Sequence, residues 1–269
     1  MIIFFYLFIF IFASAIGSFL GVVVDRLGSK ESIWKGRSHC DHCRHTLGVF
    51  DLFPIFSFLL LGGKCRYCHK KLSWFYPSIE VCTALVYIAA SSVVVTHPAE
   101  SVFQLQHLIQ LFYYFILSGA LIVIFFADLR YGIIPFNAVA VALCMTIVWY
   151  FLSPILGLQI NIIASIASAL GVGGFFLLLF ILTKGRGMGF GDVVYAFLMG
   201  FTLGFPGVFL GLYIAFITGA IVSLLLVAMK KKRFKGGTIP FGPFLVSGTL
   251  VSLLWGNFLL SVIFHYFTL

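Results

Sequence analysis

The sequence predicts an all-α polytopic membrane protein with about eight transmembrane helices and a zinc-bound cytoplasmic insert between the first two. Hydrophobic residues make up 62% of the 269 residues and charged residues only 9%, whereas soluble domains have about 25% charged residues. Apolar runs of spanning length recur along the chain. One polar segment, residues 25–78, contains two Cys-x-x-Cys motifs. These observations predict membrane helices and one modest extramembrane region.

The apolar runs predict the transmembrane helices in chain order. Residues 1–24 have no basic residues at their N-terminal end and no obvious small-residue cleavage site. They are therefore expected to be a retained helix and not a removable signal peptide. Small residues on neighbouring turns would let another helix approach this one, namely Gly17, Ser18 and Gly21. The other spans are predicted at about 79–96, 107–127, 138–154, 161–183, 193–202 and 207–229, with the last following Pro243. The predicted divisions are therefore a first helix at 1–24, the insert at 25–78 and a transmembrane domain at 79–269.

The distribution of basic residues predicts the orientation in the membrane. Of the 17 Lys and Arg residues, nine lie in the insert and the others follow spans three, five and seven. Cytoplasmic loops carry an excess of Lys and Arg, so the N-terminus is expected outside and all of these loops in the cytoplasm. The net charge is +9, but its placement in loops between spans argues against a nucleic-acid partner. The lipid bilayer is the expected surrounding.

The cysteines of the insert predict a structural zinc site. The expected ligands are Cys40, Cys43, Cys65 and Cys68, which form two Cys-x-x-Cys motifs separated by 21 residues. Cytoplasmic thiols stay reduced, and a soluble segment this small benefits from a metal. Four thiolates leave no open position for water, so the zinc is expected to be structural. One thiolate could instead be replaced by a nearby histidine, with the candidates His39, His42, His45 and His69.

Two aspartates at the ends of apolar runs are candidate catalytic residues. Asp128 ends the third span, and Asp192 follows a glycine-rich loop before the sixth. Two nearby carboxylates share a proton, so one could take a proton from water while the other polarises a peptide carbonyl. Gly189 and Gly191 would let backbone approach an extended substrate and adopt unusual dihedrals. The alternative is that Asp192 caps a helix and that Asp128 pairs with Arg130.

A third acid, Glu80, lies at the start of the second predicted span. It is a favourable acid for a helix N-terminus, and it also lies where a cytoplasmic pocket could use it. Both interpretations stay open on the sequence alone.

The motifs in combination resemble those of the type IV prepilin peptidases, which are GxGD-type membrane aspartic proteases and leader peptidase/N-methyltransferases of bacterial inner membranes. The resemblance covers nearly the whole chain. The motifs that carry it are, in chain order, Gly17-Ser18-Phe19-Leu20 with Arg26-Leu27, Arg37 to Cys43, Gly63 to Cys68, Tyr76-Pro77 with Glu80, Asp128 with Ile134-Pro135, Gly189-Phe190-Gly191-Asp192, and Pro240-Phe241-Gly242-Pro243.

The resemblance implies an enzyme that cuts the basic leader of prepilins or pseudopilins after a glycine at the cytoplasmic face, in type IV pilus assembly or protein secretion. It implies methylation of the new N-terminal residue, usually Phe, with S-adenosylmethionine as donor. Asp128 and Asp192 correspond to the catalytic pair and the four cysteines to zinc ligands, which would make 79–269 the peptidase domain and 25–78 the methyltransferase-associated insert. No motif indicates a cofactor-binding residue or the oligomeric state.

Some positions depart from the family pattern. Phe75 stands where arginine often precedes Tyr-Pro, Asp41 where proline is common, and Val194 where lysine often follows the second aspartate. The changes in the insert bear on methylation more than on proteolysis. The alternatives are therefore a peptidase without methyltransferase activity, a zinc-stabilised transporter with the two aspartates as ion sites, or an assembly scaffold that needs neither aspartate.

Overall fold

The structure, a computed structural model, describes residues 2–29, 38–40, 42–95, 104–229 and 239–267. Within these ranges the chain is helical and forms no β-strand, which confirms the predicted all-α fold. The basic cluster at 230–235 lies outside the described residues. The helices are α1 (Ile2–Ser29), α2 (Phe56–Leu60), α3 (Phe75–Val94), α4 (Leu105–Tyr131), α5 (Phe136–Leu152), α6 (Ile162–Leu182), α7 (Phe190–Leu203), α8 (Gly207–Ala228) and α9 (Gly242–Phe267), with a short 3-10 turn at Val49–Asp51.

Six of the described helices are long and apolar enough to cross a membrane, namely α1, α3, α4, α6, α8 and α9. The apolar helices α5 and α7 are shorter, with 17 and 14 residues. At about 1.5 Å per residue, α7 extends about 21 Å, which is less than the about 30 Å of hydrocarbon in a bilayer. The chain is therefore multi-pass, but eight full crossings are not established. The predicted sixth span is a short helix that ends before the turn at Gly204.

The chain divides into two compact units, Met1–Val123 and Ile124–Leu269. The division falls within α4. In the N-terminal unit, α1 packs closely on α3, since a Cβ added at Gly17 would lie 2.7 Å from the Cα atom of Glu80. A Cβ at Gly21 would lie 3.3 Å from the side chain of Ile79. The small residues of α1 thus allow close helix approach, as the sequence predicts.

In the C-terminal unit, α7 is fixed between α6 and α9. A Cβ at Gly200 of α7 would lie 2.7 Å from the Cα atom of Ala169 in α6, so these two backbones are in close contact. On another side, the buried hydroxyl of Tyr195 in α7 donates to the hydroxyl of Thr249 in α9 at 2.9 Å. Because Tyr195 lies one turn after Asp192, these contacts determine where the Asp192 carboxylate lies.

Candidate active site and candidate metal centre

Asp192 lies in the first turn of α7 and is buried. Its Oδ2 atom accepts a hydrogen bond from the N–H of Gly189 at 3.2 Å. A carboxylate here compensates the unpaired N–H groups at the start of a helix, so Asp192 does cap α7. This bond uses one of about four acceptor positions of a carboxylate, which leaves capacity for a substrate or water.

Asp128 lies in the last turns of α4, and its side chain is 6% exposed. Its Oδ2 atom is buried and has no hydrogen-bond partner among the described residues. The same atom lies against the first residue of α9, since a Cβ added at Gly242 would be 2.5 Å from it. Buried acceptors in proteins are nearly always hydrogen-bonded, so this oxygen is a candidate acceptor for a group of the substrate.

The structure brings the two aspartates together within the C-terminal unit. The charge of Asp128 acts on Asp192, so the carboxylates are close enough to repel each other when both are ionised. The contact between their segments is tight, because a Cβ at Gly191 would lie 3.0 Å from the Cβ atom of Ile134 in the turn after α4. Two such acids share a proton more readily than they both ionise. That arrangement can supply one general acid and one general base.

The glycines near Asp192 do not adopt unusual dihedrals. Gly189 has an extended backbone with φ −77° and ψ 152°, and the described residues of this loop with positive φ are Lys184 and Gly185. At Gly191 an added Cβ would lie 3.0 Å from the Cβ atom of Ile134, so Ile134 would have to shift to admit a side chain. At Gly189 the nearest atoms to an added Cβ are 3.8 Å away, which is ordinary contact and leaves the backbone approachable.

Gly242 is a site residue that sequence reasoning missed. The sequence indicates the Pro-Phe-Gly-Pro turn, but the contact of Gly242 with Asp128 depends on how α9 packs in the C-terminal unit. The signal that could have found it is a glycine between two bulky or rigid residues at the start of a helix.

The four cysteines of the insert form the candidate metal centre. Among the described residues, the one group of three or more potential ligands is Cys40, Cys43, Cys65 and Cys68, whose Sγ atoms all lie within 4.8 Å of one another. The Sγ atoms of Cys40 and Cys68 are 3.9 Å apart. Tetrahedral zinc with bonds of about 2.3 Å separates its sulfur ligands by about 3.8 Å. The cluster therefore fits zinc with cysteines alone, and no described histidine joins it.

The two cysteine motifs have the same backbone fold, a repeat that the sequence analysis did not identify. In each, the first cysteine N–H bonds to the carbonyl five residues later, and the residue after the second cysteine has positive φ. Each is also closed by an isolated bridge, His39 with Thr46 and Lys64 with Lys71. Burial opposes ionisation of Cys65, but backbone N–H groups of Cys68 and Tyr67 lower its pKa to about 7. A thiolate is the form that binds metal.

Asp51 braces the second cysteine motif from outside the cluster. Its carboxylate pairs with the Arg66 guanidinium at 2.7 Å and accepts hydrogen bonds from the Tyr67 hydroxyl at 3.1 Å and the Gly48 N–H at 3.0 Å. Burial would raise the pKa of Asp51, but these three partners hold it below its usual value. The tyrosine ring in turn lies 3.7 Å from the ring of His45, measured between centroids. Such contacts orient a metal-binding loop.

Glu80 belongs to the N-terminal unit, in α3. It is buried, and its Oε2 atom accepts a hydrogen bond from the Ile55 N–H at 2.7 Å. Glu80 thus lines a pocket of the N-terminal unit, together with residues of the insert. The two aspartates belong to the other unit.

Comparison with known proteins gives two family matches. The bacterial peptidase A24 N-terminal domain family matches residues 11–94, and the type IV leader peptidase family matches residues 115–224. Three relatives each carry the name prepilin leader peptidase/N-methyltransferase. The Aeromonas hydrophila protein is 27% identical over 93% of this chain and 90% of its own length. The Bacillus subtilis protein is 27% identical over 94% and 95%, and the Legionella pneumophila protein 25% identical over 96% and 94%. No solved structure matches the chain.

Proposed function

The chain belongs to the type IV leader peptidase family, and on that premise we propose that it cleaves the basic leader of a prepilin or pseudopilin and methylates the new N-terminus. It acts as an endopeptidase of the bacterial inner membrane, with the cut after a glycine at the cytoplasmic face. The basic loops support this orientation, with the N-terminus outside and the insert in the cytoplasm.

The observation that carries the peptidase proposal is the buried pair of Asp128 and Asp192 in one unit, close enough for their charges to interact. Isolated charges are costly at such positions, and the chain keeps two of its eight acids there. The unpartnered Oδ2 atom of Asp128 supports the same proposal, because it offers an acceptor to an incoming water or peptide.

In the proposed reaction the pair holds one proton between its two carboxyl groups and titrates as a unit. The ionised carboxylate takes a proton from water, and the resulting hydroxide adds to the scissile carbonyl carbon. The protonated carboxyl group donates to the carbonyl oxygen, and a proton then reaches the leaving amine. The Gly189 N–H restrains Asp192, and Gly242 at the start of α9 packs against the Asp128 carboxylate. The glycine at 189 leaves room for an extended substrate.

The four cysteines are proposed to hold a structural zinc ion that fixes the two cysteine motifs against each other. S-adenosylmethionine is the proposed methyl donor, since the relatives carry N-methyltransferase in their names. When bound, it would supply an electrophilic methyl group for the new terminal amine.

Mass spectrometry of a prepilin incubated with the enzyme in nanodiscs tests this proposal. We expect a leader-free product, which gains a methyl mass only when S-adenosylmethionine is added. Asp128→Asn and Asp192→Asn should each lower the cleavage rate by at least about 10²- to 10⁴-fold, the range for loss of an acid–base catalyst.

Asn161→Ala serves as the matched control in the same unit. The Asn161 side chain caps α6 by accepting from the Ala164 N–H at 3.0 Å, so its loss should cost about 1 kcal/mol of stability and leave the cleavage rate unchanged. Cleavage that survives both aspartate substitutions would contradict the two-aspartate mechanism. Cleavage without methyl gain would restrict the activity to proteolysis.

A further inference from the structure

The insert carries a set of large apolar side chains that are exposed. Phe50 and Leu60 are 83% and 86% exposed, and Trp74, directly before α3, is 71% exposed. An exposed apolar surface of this kind in a polar segment marks a contact with a membrane or with a partner. The set is called the apolar surface of the insert below, and it consists of Val49, Phe50, Phe53, Phe56, Leu59, Leu60 and Trp74.

Ring contacts join this surface to the start of α3. The Phe53 and Phe56 rings lie 5.7 Å apart, and the Phe58 ring of α2 lies 4.8 Å from the Trp74 ring, measured between centroids. Trp74 directly precedes α3, which is long and apolar enough to cross a membrane. Tryptophan is enriched where such helices meet the membrane–water interface. The apolar surface of the insert is therefore continuous with the end of a membrane helix.

A hydrogen bond to α3 indicates the depth at which this surface lies. With 20 residues, α3 extends about 30 Å, which is the thickness of the hydrocarbon layer, so its first residue, Phe75, lies at the boundary of that layer. Glu80 is five residues further along, and its Cα atom therefore lies about 7.5 Å inside the boundary. Its side chain leans back towards the start of the helix, and its Oε2 atom accepts from the Ile55 N–H at 2.7 Å. Ile55, directly before α2, is thus at the level of the membrane interface.

Positive charge flanks the apolar surface of the insert. Residues 52–79 contain no acidic residue and four basic ones, namely Lys64, Arg66, Lys70 and Lys71. Asp51, just before this stretch, is ion-paired with Arg66, so the three lysines give the stretch its positive charge. All three are exposed. Lysines beside an apolar surface attract anionic lipid headgroups while their stems cover apolar area.

We propose that the apolar surface of the insert is a lipid-binding surface that lies in the membrane interface. Its aromatic and aliphatic side chains contact the acyl chains, and Lys64, Lys70 and Lys71 contact anionic headgroups. Interfacial amphipathic segments bury their apolar face about 5–10 Å into this region, which agrees with the depth of Ile55. The insert is thus docked on the bilayer and is not a free domain above it. This docking is independent of the proposed catalytic function.

A protein is the competing occupant, because an exposed apolar surface also fits an apolar face of another chain. The position of the surface favours lipid. At the depth of Ile55, headgroups and acyl chains surround the insert before any partner arrives. The charge of the three lysines matches anionic lipid as well.

Tryptophan fluorescence of the full chain, with a single copy in each nanodisc, tests the docking. The four natural tryptophans are replaced by phenylalanine, and one tryptophan is then introduced by Phe50→Trp or by Leu60→Trp. Leu85→Trp is the matched control, because Leu85 is exposed near the middle of α3. Phospholipids brominated near the headgroup or near the chain ends quench tryptophan at the corresponding depth, and iodide quenches it from water. The melting temperature shows whether each variant is folded.

We expect the shallow bromines to quench both insert probes more strongly than the deep ones do, and the reverse for Leu85→Trp. Iodide should quench all three only weakly. The lysines are tested by comparing brominated phosphatidylglycerol with brominated phosphatidylcholine. Each lysine at the surface should favour the anionic lipid by about fivefold, so Lys70→Gln with Lys71→Gln should reduce the stronger quenching by phosphatidylglycerol. Equal preference in the double variant would remove these lysines from the proposed contact.

Shallow quenching of both insert probes together with shielding from iodide supports the docking. Quenching by iodide but by neither brominated lipid would place the surface in water and overturn it. Shielding from all quenchers would show that another part of the chain covers the surface, which also overturns it. If iodide reaches the probes until a prepilin or a second copy of the chain is added, that protein is the occupant and lipid is not.

Discussion

The four cysteines are positioned by hydrogen bonds within two short loops, whereas the two aspartates come from helices far apart in the chain and meet through helix packing. In each cysteine loop the backbone bonds join residues at most nine places apart, such as Leu47 to Ser38. Asp128 and Asp192 depend instead on Gly242, Gly191 and the bond between Tyr195 and Thr249. The two centres should therefore fail for different reasons. Loss of metal or of charge should disrupt the cysteine cluster, and added side-chain volume at helix contacts should disrupt the aspartate pair.

Of the substitutions that test this contrast, the one with the largest expected effect adds a methyl group beside the aspartate pair. Gly242→Ala places a Cβ 2.5 Å from Asp128 Oδ2, so the carboxylate or α9 must move. A shift of about 1 Å in catalytic geometry can cost about 100-fold in rate, and we expect a loss of that order in prepilin cleavage. Gly171→Ala and Gly174→Ala are matched controls, since an added Cβ there meets nothing within 4 Å. Equal cleavage by Gly242→Ala and the controls would contradict the packing account.

The next largest expected effect is a loss of zinc affinity at the candidate metal centre. It should leave the packing of the C-terminal unit unchanged. Asp51→Asn removes the ion pair with Arg66 and should weaken zinc binding by about tenfold, at the low end for such outer contacts. Tyr67→Phe removes only the hydroxyl bond to Asp51 and should have a smaller effect. Competition with a fluorescent zinc chelator measures both. Unchanged affinity in Asp51→Asn would show that the cysteine loops need no external brace.

The lowered pKa of Asp51 also predicts how the effect of Asp51→Asn on stability depends on pH. Because the pKa of Asp51 is lowered in the folded chain, its stabilisation is complete above the unfolded value of about 3.9 and is lost as the pH falls through the lower folded value. The difference in melting temperature between the unsubstituted protein and Asp51→Asn should thus be the same at about pH 6 and about pH 8. A difference that grows between these values would point to another titrating group.

The smallest expected effects distinguish two glycines of the same loop. Gly191→Ala should lower both the cleavage rate and the melting temperature, because its Cβ would lie 3.0 Å from that of Ile134. A Cβ added at Gly189 has room in the structure, so Gly189→Ala should leave the melting temperature unchanged. The added methyl group would obstruct the approach of the substrate, so KM should rise severalfold. An unchanged KM would remove Gly189 from the proposed substrate-approach loop.

The sequence predicts local features of this molecule better than contacts between helices. The cysteine cluster follows from spacing alone, because each Cys-x-x-Cys turn directs its two sulfurs to one side. The aspartates could be paired by their placement at span ends, but no periodicity shows that Gly242 packs on Asp128. Helix ends were also harder to predict, since α1 continues to Ser29 beyond its apolar run and α3 already begins at Phe75. The bond from the Ile55 N–H to Glu80 likewise depends on a tertiary contact that spacing does not contain.

The most direct test of this contrast is to remove zinc from the unsubstituted enzyme with a chelator and follow one prepilin by mass spectrometry with S-adenosylmethionine present. If helix packing holds the aspartates and methyl transfer depends on the metal-bound insert, the leader should still be removed while methyl transfer is lost. Readdition of zinc should restore methylation. Loss of both activities on chelation, or retention of both, would contradict the account that packing positions one centre and metal the other.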